Sequence, residues 1–337
     1  MNTRKVCLVC LVLLLVSTAA HAKIIFSSER NGVKGVYAMD DDGSNQTLLT
    51  EGLDPFPQSW SPDGTKILFK RFVHRSVILY LMDPDGTNIR QLTEKDDSYI
   101  GKCSFSPDGN FIVYDKLWTE NNNQKSSVEV LNIETGKREV ILDRSVTFCD
   151  WSPDGRHILF AEPISPGRSS TIWIMGADGH KPRELIPNPG PRQVNFFSYR
   201  SHPRWSPNGR QVVFTETERT FNNVLIFKAF RYMIYDLASD SIRKLSIPRD
   251  WVCYSIDWMD DGESVVFTAR AGIPMDKPVE RIDIFPCYVY KYHIKTREIT
   301  QLTNDPGWDQ TIDWISDDVL PVSPKGKKKV MWGALKK

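Results

Sequence analysis

A short pattern occurs five times along the chain and constrains its fold more than any other feature. Each copy has an aromatic residue, a tight turn that ends in glycine, and a second aromatic nine positions after the first. The turn reads Ser-Pro-Asp-Gly or Ser-Pro-Asn-Gly in four copies and Met-Asp-Asp-Gly in the fifth. The copies begin at Trp60, Phe105, Trp151, Trp205 and Trp258. A fixed pattern that returns every 45 to 54 residues predicts a repeat architecture.

Each copy is predicted to belong to a unit of four short strands, A to D. Strand A ends at the first aromatic, and strand B carries an apolar triplet such as Ile67-Leu68-Phe69. Strand C ends in an Asp-Gly turn such as Asp83-Pro84-Asp85-Gly86, and strand D ends near a Leu-Thr pair. Glycine accepts positive φ without steric cost, so these turns favour tight hairpins. Because the triplet is apolar at consecutive positions, strand B is expected to be buried on both faces.

The two ends of the repeat region hold incomplete units that complement each other. Trp314 is a sixth strand-A aromatic, but neither the turn nor the triplet follows it. Residues 23–50 supply strands B, C and D, beginning with Ile24-Ile25-Phe26, and lack a strand A. The predicted fold is therefore an all-β, six-bladed β-propeller with four antiparallel strands per blade, closed by its N-terminal strands and the Trp314 strand. A β-sandwich is the alternative, but it does not explain the regular four-strand unit.

The repeat resembles that of a known family. The run from Met82 to Thr93 reads M-D-x-D-G-x-N-x-x-x-L-T and, with W-S-P-D-G and I-x-F, looks like the WD40-like (PD40) propeller repeats of the TolB-like family. The resemblance covers residues 23–316 and implies a periplasmic protein of the bacterial envelope. The same repeat occurs in envelope-complex subunits, in propellers of prolyl-oligopeptidase-type peptidases and in sugar lyases. TolB itself carries an α/β domain before its propeller, so the partner contacts of that domain are not carried over.

The first 22 residues are predicted to be a cleaved signal peptide. Arg4 and Lys5 form a positively charged start, and the apolar run Val6–Val16 is too short for a comfortable membrane span. Ala20-His21-Ala22 offers a cleavage site, which predicts a periplasmic or secreted protein. An uncleaved anchor is the alternative, and the residues before Cys10 do not favour a lipid anchor.

Composition limits the partners. The 337 residues are 40% hydrophobic and 25% charged, with a formal net charge of +1, so we expect a globular protein that binds no nucleic acid and is not an integral membrane protein. The expected domain order is a signal peptide (1–22), a propeller (23–316) and a lysine-rich tail (317–337). The tail has six lysines and no acid after residue 321, which favours a solvated end or, alternatively, attachment to an anionic envelope surface.

Binding is expected on one face of the propeller. The loops that join D to A and B to C share this face and are long, notably 187–204, 215–229 and 269–286, and irregular loops on a rigid scaffold commonly bind ligands. Aromatic and arginine side chains on these loops can be interface hot spots, or the aromatics can simply pack onto the blades. The predicted partner-binding residues are Arg192, Phe197, Tyr199, Arg200, His202, Arg204, Trp251, Tyr254 and Trp308.

A second set of polar residues is expected to line the central channel. Each member stands directly before a strand-A aromatic: Ser59, Ser104, Asp150, Arg204, Asp257 and Asp313. Three acids and one arginine around an axis can bind a cation or the basic end of a peptide. The alternative is a hydrogen-bonded, water-filled funnel.

Enzyme signatures are mostly missing. The sequence has no G-x-S-x-G nucleophile elbow, no H-E-x-x-H and no phosphate-binding glycine loop, so we predict no catalytic residue, cofactor or metal site. The Asp-rich turns are interpreted as hairpin turns and not as calcium sites. A carboxylate-based catalytic site in the channel is the alternative. Cys103 and Cys149 are expected to be buried thiols. Cys253 and Cys287 serve the same unit, and a disulfide between them is a hypothesis.

The favoured function is an exported, non-enzymatic scaffold that binds a protein or peptide of the cell envelope. The alternatives are a propeller enzyme, lyase or hydrolase, that acts on a polysaccharide, and a carbohydrate-binding module without turnover.

Overall fold

The computed structural model describes residues 23–316 and Val319, apart from Asn31, 52–53, 165–168, 189–195, 222–223, Asp260, 279–284, 306–307 and 317–318. The expected signal peptide and nearly all of the lysine-rich tail therefore lie outside the described residues. Every described helix or strand element is a strand, which confirms the all-β prediction. No helix in the described part of the chain has the length and apolar character needed to cross a membrane.

The strands follow one another in sets of three or four. The first set is β1 (Lys23–Arg30), β2 (Val33–Asp40) and β3 (Thr47–Glu51). The second is β4 (Pro55–Trp60), β5 (Ile67–Val73), β6 (Ser76–Met82) and β7 (Arg90–Gln91). The third is β8 (Tyr99–Phe105), β9 (Phe111–Glu120), β10 (Asn123–Asn132) and β11 (Arg138–Leu142). The fourth is β12 (Thr147–Trp151), β13 (His157–Ile164), β14 (Ser169–Gly176) and β15 (Arg183–Ile186). The fifth is β16 (Phe196–Trp205), β17 (Gln211–Phe221), β18 (Leu225–Asp236) and β19 (Ser241–Lys244). The sixth is β20 (Val252–Trp258), β21 (Ser264–Arg270), β22 (Cys287–His293) and β23 (Ile299–Gln301), and β24 (Gln310–Ile315) follows it.

Within each set, consecutive strands pair in antiparallel fashion. The fourth and fifth sets are joined by one parallel pairing, between Ser170 and Tyr199. The last strand, β24, is hydrogen-bonded to β1, with Trp314 opposite Ile24, and so gives the first set its fourth strand. The first strands of successive sets contact one another in chain order, and β24 contacts both β4 and β20.

The core lies between the sheets, and the apolar triplets form its centre. In β5, Ile67 and Phe69 pack in one cluster with Trp60, whereas Leu68 belongs to a second cluster with Cys103. All three triplet side chains are fully buried, which confirms that strand B is covered on both faces. The turn after Trp60 has a structural role, because Gly64 at φ 67° donates its N–H to the Ser61 carbonyl oxygen at 2.8 Å.

The six strands that carry a strand-A aromatic, β4, β8, β12, β16, β20 and β24, are each bent by a β-bulge two to four residues before that aromatic. Three residues, each three positions before that aromatic, have positive φ: Phe148 at 60°, His202 at 54° and Thr311 at 30°. Positive φ is uncommon outside glycine and is maintained only where surrounding contacts enforce it. The bulges therefore fix the direction of side chains in the middle of these strands.

Two segments that were expected to be loops contain long stretches of strand. Residues 196–204 lie in β16, and 215–229 lie mostly in β17 and β18, the longest hairpin of the described chain. Of the segment 269–286, residues 271–277 and 285–286 join β21 to β22 without strand structure.

The disulfide hypothesis is wrong. All four cysteines of the described residues are free thiols. Cys253 of β20 lies opposite Ala269, and Cys287 of β22 lies opposite Arg270, so β21 stands between them. Two strand spacings amount to roughly 10 Å, beyond the roughly 7 Å between Cα atoms that a disulfide can bridge.

Candidate functional site

The residues that directly precede the six strand-A aromatics are called the inner cluster. They lie on β4, β8, β12, β16, β20 and β24, in the order Ser59, Ser104, Asp150, Arg204, Asp257 and Asp313. Four of them are buried, and Ser104 and Asp257 are half-buried.

Members of the inner cluster link neighbouring first strands. Asp313 accepts a hydrogen bond at 2.7 Å from the backbone N–H of Trp60, although the two residues are far apart in sequence. Asp150 accepts one at 2.9 Å from the N–H of Trp205. The pre-aromatic side chains therefore hold adjacent sets together, in addition to any contact with a ligand.

The charges of the inner cluster interact strongly. Arg204 Nη1 lies 3.6 Å from Asp150 Oδ1, and both residues are at most 9% exposed. Burial raises the pKa of Asp150 to about 6, although Arg204 opposes the rise. Burial and the neighbouring carboxylate of Asp257 raise the pKa of Asp313 well above its ordinary value. Asp313 therefore keeps its proton to higher pH than an isolated aspartate does.

Lys102 joins this cluster and was missed by the sequence reasoning. It lies two residues before Ser104 on β8, and its ammonium donates to the carbonyl oxygen of Gln58. Burial and the neighbouring Arg204 lower its pKa to about 8, against the opposing effect of the three acids of the cluster. The sequence did hold a signal, because Lys102 occupies the third position before the aromatic, the offset at which Phe148 and His202 occur in the next two repeats.

His202, a predicted binding residue, is half-buried in the bulge of β16. Its ring centre lies 4.1 Å from that of Phe148, and its Nδ1 is within 3.2 Å of the hydroxyls of Ser201 and Thr215. Burial lowers the pKa of His202 to about 3, with further contributions from Arg204 and Lys102. His202 is thus a neutral, hydrogen-bonded aromatic residue near neutral pH.

Two predicted binding residues are brought together by an arginine that the sequence reasoning did not consider. Arg270 is 1% exposed, and its Nε donates to the hydroxyl of Tyr254 at 2.9 Å. Its Cζ lies 4.9 Å from the ring centre of Trp308 and 5.2 Å from that of Tyr254. Trp308 remains 42% exposed, so this cation–π arrangement presents it to solvent in a fixed position.

Other predicted binding residues are not free surface groups. Arg200 is 6% exposed and donates from Nε to Glu216 Oε2 at 3.1 Å, so its assignment to an open face is wrong. The same holds for Arg204, which is buried in the inner cluster. Trp251 is half-buried, with its ring centre 4.6 Å from that of Tyr290 in the core.

The remaining predicted residues have mixed positions. Phe197 and Tyr199 are half-buried on β16, where the Cζ of Arg219 lies 3.9 Å from the Tyr199 ring centre. Arg192 lies outside the described residues.

A group of aromatics, of which only Trp308 was predicted, lies at the sheet edge opposite the Ser-Pro-Asp-Gly turns. Phe72 is 45% exposed and Tyr99 is 42% exposed, at the end of β5 and the start of β8. The ring of Phe72 is 5.3 Å from that of Phe56 and 6.1 Å from that of Tyr99, centre to centre. Phe56 also lines a small cleft of about 100 Å³ together with Trp308. These four residues, Trp308, Phe56, Phe72 and Tyr99, are called the aromatic arc.

Comparison with known proteins agrees with the repeat pattern. A family model described as TolB beta propeller domain matches residues 71–270, which confirms the resemblance to TolB-like repeats. The uncharacterized protein Atu1656 of Agrobacterium fabrum (strain C58 / ATCC 33970) is 22% identical over 193 residues, covering 54% of this chain and 62% of that protein.

Two solved structures share the fold. TolB from Acinetobacter baumannii superimposes with a TM-score of 0.68 at 16% identity, covering 87% of this chain and 66% of that chain. Oligogalacturonate lyase from Vibrio parahaemolyticus gives a TM-score of 0.52 at 16% identity, covering 83% of this chain and 74% of that chain. The alignments thus span less than two thirds of both the curated relative and the TolB structure.

Proposed function

The chain belongs to the TolB beta propeller family, and on that premise we propose that it is an exported, non-enzymatic propeller scaffold that binds a protein or peptide of the cell envelope. Its partner binds at the sheet edge opposite the Ser-Pro-Asp-Gly turns. The observation that carries this proposal is the aromatic arc.

The proposed scaffold is a closed ring of six four-stranded blades. The contacts between successive first strands, and those of β24 with both β4 and β20, support this arrangement. In such a ring the inner cluster surrounds the central axis, and the arc lies beside the mouth of the channel. The division into a signal peptide (1–22), a propeller (23–316) and a tail (317–337), and a periplasmic location, belong to the same proposal.

The arc suits a protein partner for physical reasons. Large aromatic side chains offer rigid contact area and dominate interface hot spots. Phe72 and Tyr99 keep more than two fifths of their surface exposed. Burial of this apolar surface against a partner would therefore contribute favourable free energy to binding. Because Arg270 fixes Trp308 and Phe56 contacts Phe72, little conformational entropy would be lost on binding.

Capture from envelope extract tests this function. The protein is immobilised, proteins retained from periplasmic and membrane fractions are identified by mass spectrometry, and the same is done with the double variant Phe72→Ala/Tyr99→Ala. We expect the variant to lose the specific partner. The matched control is Val140→Ala/Ile242→Ala, which trims two exposed apolar residues of outer strands. Equal capture by both variants would show that the arc is not the binding surface.

A polysaccharide-directed enzyme is the second candidate, and Lys102 favours it. An amine whose pKa is lowered to about 8 can accept a proton, and it lies among the acids and the arginine of the inner cluster. The shared fold with an oligogalacturonate lyase is compatible with that role. The test is incubation with polygalacturonate, from which we expect no unsaturated products. If the unmodified protein releases such products and Lys102→Met does not, the scaffold proposal is wrong and the enzyme proposal takes its place.

A further inference from the structure

A groove of about 370 Å³ lies on one face of the fifth set, at the same edge as the aromatic arc but three sets away from Phe72. Its floor is formed where Phe196 lies opposite Thr220, and where Glu218 lies opposite Ala229. Charged side chains from β17, β18 and β19 and from the segments that follow β19 and β21 line the rest: Glu218, Lys228, Arg231, Lys244, Arg249 and Asp276. None of these six is among the predicted partner-binding residues, although Glu218, Lys228 and Asp276 lie in segments that were expected to form the binding face.

Lys228 occupies the groove because of a bulge. In the pairing of β17 with β18, Glu218 faces Ala229 and Arg219 faces Phe227, so Lys228 is the extra residue. A bulge re-aims a side chain relative to the regular alternation of a strand. The ammonium of Lys228 thereby comes within 3.1 Å of the carboxylate of Asp276.

Arg231 forms a fixed wall. It donates to Glu216 Oε1 at 3.1 Å and to Glu218 Oε2 at 2.8 Å, and Arg200 holds the other oxygen of Glu216 at 3.1 Å. Two arginines and two glutamates therefore form a ladder across β16, β17 and β18 that is neutral as a whole. Such a ladder positions the groove but adds no net charge to it.

The unbalanced charge comes from the outer side. Asp276 is shared by Lys228 and by Arg249, whose Nη2 lies 3.2 Å away. Lys244 is exposed and makes no ion pair with any residue that the structure describes. The six lining charges are four basic and two acidic, a local excess of +2, whereas the entire chain carries only +1. The groove is thus a concentrated positive region on a nearly neutral protein.

We propose that this groove binds an acidic, Asp- or Glu-containing peptide segment, one that the envelope partner supplies; the inference rests on the proposed function and names the chemistry of its partner. Side-chain carboxylates of the segment pair with Lys244 and Arg249, in the way that Asp276 already pairs with two cations. Phe196 and Ala229 receive its apolar atoms. The exposed carboxylate of Asp276 would repel a densely charged polyanion, which favours the sparser charge of a peptide over a nucleic acid or a polyuronate. The volume, at the lower end for ligand sites, fits a few side chains.

Fluorescence anisotropy with a fluorescein-labelled peptide Ala-Glu-Ala-Ala-Glu-Ala (the two-glutamate peptide), at low and at high salt, tests the groove. The intact protein should bind the peptide, and added salt should weaken binding because the contacts are exposed ion pairs. The double variant Lys244→Ala/Arg249→Ala should bind about tenfold more weakly, the size of change that two such pairs account for. The matched control, Arg210→Ala/Lys295→Ala, removes two exposed positive charges at the opposite edge and should bind like the unmodified protein.

Each other outcome overturns the inference in a distinct way. Equal weakening by both double variants would mean that only net charge matters. Absence of binding by the unmodified protein would exclude an acidic segment. Displacement by a galacturonate oligomer at lower concentration than by the unlabelled two-glutamate peptide would assign the groove to a glycan. If the two-glutamate peptide fails to bind while Phe72→Ala/Tyr99→Ala still loses its envelope partner, the scaffold proposal stands and only the acidic segment is refuted. If the peptide binds while that variant keeps its partner, the groove stands and the aromatic arc is refuted as the binding surface.

Discussion

Replacement of Arg204 by methionine should destabilise the protein in a way that depends on pH. Arg204 is buried 3.6 Å from Asp150, whose second oxygen is already used by the N–H of Trp205. Removal of one partner from a buried pair leaves an uncompensated charge and costs about 3–5 kcal/mol. We expect Arg204→Met to lose that amount at pH 8, where Asp150 is ionised, and clearly less at pH 5, where most of this carboxyl is protonated.

The direction in which the stability of the unmodified protein changes with pH follows from the pKa of Asp150. Burial raises it from an ordinary 3.8 to about 6, so the folded state binds this proton more tightly than the unfolded state does. The resulting contribution to stability is complete below about pH 4 and is lost as the pH rises through 6. A rise from 3.8 to about 6 corresponds to about 3 kcal/mol. The variant Asp150→Asn should therefore have a free energy of unfolding that changes less between pH 4 and pH 7 than that of the unmodified protein.

Urea unfolding followed by tryptophan fluorescence at pH 5 and pH 8 measures these differences. The double variant Arg204→Met/Asp150→Asn is the decisive sample, because a buried ion pair replaced by neutral groups often leaves stability unchanged. It should regain most of the loss seen in Arg204→Met at pH 8. The reasoning fails if Arg204→Met loses the same free energy at both pH values, or if the two single losses simply add in the double variant.

Three further predictions follow from local geometry. Gly101→Ala should lower the free energy of unfolding by more than about 1 kcal/mol, because an added Cβ would lie 1.9 Å from Asp115 Oδ2. The loss should be smaller when Asp115→Ala is already present, and an equal loss in both backgrounds, measured by urea unfolding, would contradict this cause. Cys253 and Cys287 should both be alkylated when the protein is unfolded without reductant, as measured by mass spectrometry. Two unlabelled cysteines, with a mass two hydrogens below that of the reduced protein, would show that the disulfide forms. His202 should show no protonation between pH 7 and pH 5 in its NMR ring signals, because burial lowers its pKa to about 3, and a midpoint in that range would mean that its ring is hydrated.

The repeat was sufficient to predict the architecture of each set. The offset of nine residues between two aromatics corresponds to the hairpin of β4 and β5, in which Trp60 lies opposite Ile67. Consecutive apolar residues predicted a strand covered on both faces, and Ile67 and Leu68 do pack into different clusters. The incomplete units at the two ends predicted that Trp314 would join the N-terminal strands, and it lies opposite Ile24.

The sites were much harder to predict, because they depend on partners that are distant in sequence. The segment that contains Arg200 was interpreted as a loop since it is polar and irregular. In the fold it is a strand, stabilised by charge pairs with Glu216 on β17. The aromatic arc combines Phe72 and Tyr99 from different repeats with Trp308 from near the C-terminal end of the described chain. No spacing rule connects these residues, so only the packing of neighbouring sets shows that they share an edge.

The residues that hold the repeats together are therefore not the residues available for binding. This difference can be measured, because the two kinds of residue should affect stability differently. Asp313 and Asp150 accept hydrogen bonds from N–H groups of neighbouring strands, so substitution of either one should lower the midpoint of urea unfolding. Phe72 and Tyr99 are more than two fifths exposed, and alanine at either should cost less than about 1 kcal/mol. If Phe72→Ala/Tyr99→Ala loses partner capture while its urea unfolding keeps the same midpoint and the same dependence of free energy on urea concentration, the loss comes from missing contacts with the partner. It then does not come from unfolding of the protein. If that variant unfolded as readily as Arg204→Met, the arc would be part of the packing between sets, and its exposed area would no longer argue for a partner.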